Sequence, residues 1–219
     1  MHPNQNPTSN SFPTPQSLSN WLKSRLPSTS LAAWGAQPGT KNVHNLWLEL
    51  SQGETTLIDS TPPIRTVNVV TVTIISPDGL NLIETRQELS DGSFRDRGRP
   101  LSEKMKPGET VENAVMRAVR EELGLQGIDG VNGVRIVPGS YMKRVEERAS
   151  ASYPGLPASY VLHSVDAWVE GLPHEGEFWT EEEGEEYRGC DEAARVADEA
   201  VFVKKHYWKW IAADDHAPH

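Results

Sequence analysis

The sequence predicts an α+β fold with an N-terminal extension. Three stretches point to that class. Val67 to Ile75 is a β-branched run, apolar on both faces, as a buried central strand requires. Val111, Ala114, Val115, Ala118, Val119 and Leu123 recur at helical spacing, giving one broad apolar face. Tyr160 to Val169 has the alternating character of a half-buried strand.

From the N-terminus, Met1 to Gln16 is rich in Asn, Pro, Ser and Thr and is expected to be a loose tail (residues 1–16). Residues 17–60 form an N-terminal addition. In it Ser17 caps a short helix bearing Leu18, Trp21, Leu22 and Leu26, and Asn45 to Leu50 alternates like a strand. That strand is expected to turn at Gln52-Gly53-Glu54 and pair with Thr55 to Ile58. The tryptophans here, Trp34 and Trp47 among them, are expected to pack in a core. The main domain, residues 61–219, opens with the central strand. Pro77-Asp78-Gly79 then turns the chain into a returning strand, Leu80 to Leu89. After a loop, Thr110 is the expected N-cap of the helix and Gly124 its stop. Val134 to Val137 is a short strand, with Tyr141 to Glu147 extending it, and Ala149 to Pro157 is a loop. A closing helix is expected over Glu192 to Ile211, bearing Ala194, Val196, Val201, Phe202, His206, Tyr207 and Trp210.

Composition bounds the function. The chain has 219 residues, 37% hydrophobic and 24% charged, as in a soluble globular protein. Its net charge of −10 argues against broad binding to nucleic acid backbones or to an anionic membrane, but is compatible with a small phosphorylated ligand held through metal. Cys190 is the only cysteine, so no internal disulfide forms, and a cytoplasmic or other reducing intracellular compartment is expected. No apolar run reaches transmembrane length, and the N-terminus carries no secretory core.

The chemistry concentrates in Glu103 to Leu125. Glu122 falls inside the apolar stripe of the helix, where a carboxylate is costly unless it is paired or bound to metal. Arg117 and Glu121, four apart, can pair at its edge. Glu109, Arg117, Val119, Glu121, Glu122, Gly124 and Leu125 stand in the order and spacing of the Nudix box, and the stretch resembles that of the Nudix hydrolase superfamily. Two positions depart from it. Glu103 stands where the box has its first glycine, and Ala118 where it has a glutamate after the first arginine. The resemblance implies a mixed sheet between helices and a metal-dependent hydrolase that cleaves a diphosphate linkage in a nucleoside-diphosphate-type or other organic substrate.

By the same resemblance, Glu121 and Glu122 bind magnesium or manganese, Glu103 adds a carbonyl or carboxylate ligand, and Arg117 orients the carboxylates. Glu109 ties the loop to the helix. Arg86, Arg95, Arg97 and Arg99, with Lys104 and Lys106, form a basic concentration suited to phosphate, or else balance Glu84, Glu88, Asp91 and Asp96. Glu175, Glu177, Glu181, Glu182, Glu183, Glu185 and Glu186 make an acidic loop that, with Glu170, offers a replacement for the carboxylate missing at Ala118. His206 is a weak metal candidate. Two other readings stay open: a Nudix-fold module binding a nucleotide or a protein partner without hydrolysis, and a repurposed diphosphate-handling enzyme. The cysteine-dependent isomerase branch is disfavoured because only Cys190 is available. A homodimer is an open reading of the N-terminal addition.

Overall fold

The computed structural model describes residues 12–125, 133–182 and 195–212. The architecture is α+β, with two compact units. The first contains residues 12–68, 145–161 and 195–201; the second contains 69–125, 133–144, 162–182 and 202–212. Three strands run from one unit into the other: β2 (Ile64–Ile74), β7 (Met142–Ala149) and β8 (Pro157–Val169).

In the first unit, α1 (Pro15–Lys23) begins with a capping box. Thr14 Oγ1 accepts from the Ser17 amide while Ser17 Oγ accepts from the Thr14 amide, and Pro15 fits the first turn because its missing N–H has no intrahelical acceptor. The short helix α2 (Ser28–Ala33) follows. Next is α3 (Val43–Ser51), which corrects the expected strand at Asn45 to Leu50. Asn42 starts α3 by accepting from the His44 and Asn45 amides. Asn45 through Glu49 are all buried, so the apparent alternation was not an inside–outside pattern. Asn45 bonds the backbone of Val201 through both ends of its amide, at 2.7 and 3.1 Å. The strand β1 (Thr55–Ile58) pairs antiparallel with the start of β2, so the hairpin forms with the following segment and not the preceding one.

Leu18, Leu22, Leu46, Leu48, Tyr153 and Leu156 lie in this unit's core. Trp34 and Trp47 are buried as expected, with their indole N–H groups donating to Pro154 and Phe12 carbonyls. The loop before β8 reaches that core through Gly155, whose φ is +79°. A Cβ there would overlap the Ser30 side chain, so the position is closed to other residues on both counts.

In the second unit, the later half of β2 pairs antiparallel with β5 (Leu101–Lys104), and β6 (Val134–Ile136) pairs antiparallel with the end of β8. A separate antiparallel sheet has the order β4 (Phe94–Arg99), β3 (Leu80–Leu89), β10 (Val203–Ala212), β9 (Glu177–Glu181). The helix α4 (Val111–Leu123) has the expected ends, Thr110 as N-cap and Gly124 at φ +63°. Its Val115 and Val119 pack in a core with Val70, Leu82, Val165 and Trp208.

The expected closing helix is corrected. Val203–Ala212 is a strand, residues 195–197 are helical, and residues 192–194 lie outside the described residues. From Lys205 to Lys209 the buried His206 and Trp208 alternate with the more exposed Lys205, Tyr207 and Lys209, the period-two pattern of a half-buried strand, and β10 is hydrogen-bonded on both sides. Part of the expected acidic loop is strand β9; Glu183, Glu185, Glu186 and Cys190 lie outside the described residues. Tyr141 to Glu147 does not continue β6 but leads into β7, after a turn.

A buried ion cluster joins α3 to β2 in the first unit. Glu49 accepts from Arg65 at 2.7 Å and Lys41 at 3.2 Å, and the Arg65 guanidinium lies over the Tyr153 ring at 5.2 Å. Glu49→Leu should therefore destabilise the protein by roughly 3–5 kcal/mol, because it strands buried charge. Urea unfolding followed by tryptophan fluorescence measures this, and Glu49→Leu combined with Arg65→Leu should recover part of the loss.

Candidate functional site

The second unit places two polar clusters against α4. The first is organised by Arg117, which is buried. Its Nε and Nη2 donate to both oxygens of Glu109, each at 2.9 Å. Nη1 donates to Glu121 at 2.9 Å and Glu103 at 3.3 Å, and Nη2 also donates to the Lys104 carbonyl at 2.7 Å. Glu109 in turn accepts from the Lys106 amide at 2.9 Å, closing the loop onto the helix. Burial works against the Arg117 charge, but Glu109 and the other carboxylates outweigh it and raise its pKa. Burial pushes the Glu109 carboxyl up, yet the Arg117 and Lys106 hydrogen bonds hold it below its ordinary value.

The second cluster is deeper. One ligand atom from each of Glu84, Glu122 and His206 lies within 4.8 Å of the others, and all three residues are buried. Glu84 comes from β3, Glu122 from the end of α4 and His206 from β10. The β3–β10 pairing shifts register between Tyr207 and Trp208, where β3 carries the extra residue Thr85, so that Gln87 and Glu84, three apart, both face inward opposite His206 and Trp208. His206 Nδ1 lies 2.6 Å from Glu84 and 3.5 Å from Glu122 Oε2, and its Nε2 lies 3.2 Å from Glu182, just beyond β9. The imidazole stacks on Trp208, with centroids 5.7 Å apart. Arg97 donates to the other Glu84 oxygen at 2.9 Å. Thr180 bridges the edges of the cluster, accepting from Trp208 Nε1 at 2.8 Å and donating to the Glu122 carbonyl.

The three groups titrate in different directions. Burial pushes Glu84 up, but Arg97 and His206 bring it down to about 2. Burial pushes His206 down, and Glu122, Glu182 and Glu84 together hold it well above its ordinary value. For Glu122, burial dominates; repulsion from Glu84, Glu103 and Glu182 adds to it, and attraction to His206 does not offset it, so its carboxyl is held well above the usual range. Glu122 Oε2 is buried and makes no hydrogen bond among the described residues.

The sequence-predicted residues therefore divide. Glu103, Glu121 and Arg117 come together at the first cluster. Glu122 turns to the second, beside Glu84, which the sequence presents only as charge balance, and His206, which it marks as a weak metal candidate. The only sign in the sequence was the alternation of Lys205, Tyr207 and Lys209 with His206, Trp208 and Trp210, which a helical reading hides. Ala118 is fully buried in the core, 0% exposed, so a glutamate there would enter apolar surroundings.

The four arginines also separate. Arg95 donates to Gln87 and Arg97 to Glu84, both buried acceptors. Arg99 pairs across from Glu84 in the β3–β4 register, and its Nε is buried without a hydrogen bond among the described residues. Arg86 is exposed on the opposite face of the sheet, over the rings of Tyr207 at 4.5 Å and Phe94 at 5.0 Å.

No family model matches the chain, and no curated protein matches it. Among solved structures it is similar to a NUDIX hydrolase from Nitrosomonas europaea, at 16% identity over 68% of this chain and 73% of that chain, with a TM-score of 0.34. At that level of likeness, function has to be read from the site. No helix among the described residues is long and apolar enough to cross a membrane.

The Glu109–Arg117 pair has a testable pH signature. Because the folded-state pKa of Glu109 is depressed, its stabilising contribution is complete above its unfolded value of about 4.3 and is lost as pH falls through the lower folded value. Glu109→Gln should lower the melting temperature at neutral pH, and the gap from wild type should narrow at acid pH. Melting curves at pH 7, 5 and 3 measure it.

Proposed function

We propose that the second unit is a Nudix-type hydrolase that cleaves a diphosphate linkage in a small organic substrate with the help of a divalent cation. One observation carries this reading. Glu122 keeps a buried carboxylate oxygen without a hydrogen bond among the described residues, beside a second carboxylate and an imidazole. A buried polar atom of that kind is costly unless something else binds it. The donor set fits a cation: Glu84 and Glu122 supply hard oxygens and His206 a nitrogen, a mixture that suits manganese better than magnesium. Bound there, the cation would offset charge on the diphosphate and lower the pKa of a water.

The protein's own groups then have separable tasks. Arg117 holds Glu121 and Glu103 toward the loop before α4, where they can serve as further carboxylates for the same purpose. Arg97 keeps Glu84 ionised. Glu182 has the most accessible carboxylate in contact with His206, 17% exposed, which makes it the candidate to take a proton from water. Of the four arginines, Arg99 is the best placed for a phosphate oxygen, because Arg95 and Arg97 are engaged with buried acceptors and Arg86 stacks on aromatic rings.

A second reading, a module that binds a nucleotide or a partner without cleaving anything, is favoured by Ala118, since the carboxylate a complete box carries there is missing and its place is filled by core.

Titration calorimetry with manganese, paired with phosphate release from a panel of nucleoside diphosphate derivatives, separates the two. The wild type should bind manganese and cleave at least one compound in a metal-dependent way. Glu122→Gln should weaken metal binding by roughly 10- to 100-fold or more and abolish cleavage while remaining folded. A wild type that binds neither manganese nor magnesium rules out the hydrolase.

A further inference from the structure

The strand β7 is a sheet edge with an unusual order of charges. Its sequence is Met142-Lys143-Arg144-Val145-Glu146-Glu147-Arg148-Ala149. Among the described residues its strand partner is β8, which leaves its other edge without a strand. Every residue of β7 is exposed except Glu146, which is half-buried. Met142 and Val145 leave 66% and 60% of their surfaces in solvent, uncommon for apolar residues on an ordered strand. Side-chain contacts support the segment near both ends: Tyr141 bonds His163 at 3.1 Å and stacks on it, and the Arg148 guanidinium lies over the Tyr160 ring at 4.7 Å. The result is a straightforward template for an added strand.

The geometry points to a second copy of this chain as that strand, paired antiparallel along β7 across a two-fold axis through Val145. A two-fold axis perpendicular to a continuous sheet keeps every side chain on its own face. The register must therefore set some residue opposite itself. Centring on Lys143, Arg144, Glu146 or Glu147 would place a charge against its own copy, which is destabilising. Centring on Val145 puts valine against valine. Arg144 then faces the partner's Glu146, Lys143 faces the partner's Glu147, and symmetry repeats both pairs.

The Lys143–Glu147 pairs lie on the same face as the two valines, and the Arg144–Glu146 pairs lie on the other. Arg144 and Glu146 already interact within their own chain, so for them association exchanges partners. The new contributions are the backbone ladder, the Val145 contact and the register. Charges that served only to keep an edge from aggregating would work in any order, whereas this order is complementary to its own reverse.

Sedimentation velocity on the full chain tests the assignment. The wild type should form a species of twice the chain mass. Lys143→Glu with Arg144→Glu makes the strand wholly acidic at its charged centre, and Glu146→Lys with Glu147→Lys makes it wholly basic. Each double variant alone should be monomeric, and an equimolar mixture should restore a dimer containing one of each. Recovery in the mixture excludes misfolding as the reason either variant fails alone. A monomeric wild type, a double variant that still dimerises by itself, or a mixture that stays monomeric while both variants keep the wild-type circular dichroism spectrum would each overturn it.

Discussion

The arrangement of the second unit depends on one buried guanidinium. Arg117 sits on the inner side of α4 with carboxylates from three positions around it, and two of those, Glu103 and Glu109, belong to the segment that precedes the helix. Arginine can do this where lysine cannot, because its five N–H groups form a rigid planar fork that reaches several acceptors at once. The bidentate grip on Glu109 and the bond to the Lys104 carbonyl hold the loop to the helix at both its beginning and its end. With Glu121 and Glu103 drawn to the same cation, Glu122 is the carboxylate of the pair left to face the interior.

That division has an electrostatic consequence. Glu84, Glu122 and Glu182 surround a single imidazole, and Arg97 is the cation on the far side of Glu84. Three carboxylates against one imidazolium and one guanidinium leave an excess of negative charge in a poorly solvated place. A proton or a cation must make up the difference, and the raised pKa values of Glu122 and His206 are the proton's version of that requirement. A divalent ion would relieve the same strain more completely. Polar groups whose environments drive their pKa values apart gather at functional sites for this reason, and Glu84 and Glu122 diverge strongly across one imidazole.

The two units leave buried charge unsatisfied at different groups. In the first, both Glu49 oxygens meet cations, Arg65 and Lys41, and the atom left without a hydrogen bond among the described residues is the Arg65 Nε donor. In the second it is a carboxylate acceptor, Glu122 Oε2, which a cation can bind.

The sequence by itself determined the parts whose signals are local. Thr110 and Gly124 mark the ends of α4 because caps act within one turn, and the period of Val111, Val115 and Val119 names its buried face. The i,i+4 spacing of Arg117 and Glu121 placed their contact in advance, since helical geometry over so short a range leaves little choice, whereas the tie of Glu109 to the helix was implied only by the family resemblance. The turn at Gly79 and the strand after it were equally legible. Only the tertiary structure decided α3 and β10. Asn45 to Leu50 alternates well enough for a strand, but the segment is a helix whose surroundings bury five consecutive residues, Asn45 to Glu49. The segment from Val203 to Ala212 has aromatic residues that fit either period, and hydrogen bonds to β3 and β9 settled it. The partner of Glu122 was hidden for the same reason. Glu84 and His206 are 122 positions apart, and what brings them together is the pairing of two strands and the register shift beside them. Strand register depends on what each face packs against, and that information is absent from any single stretch of the chain.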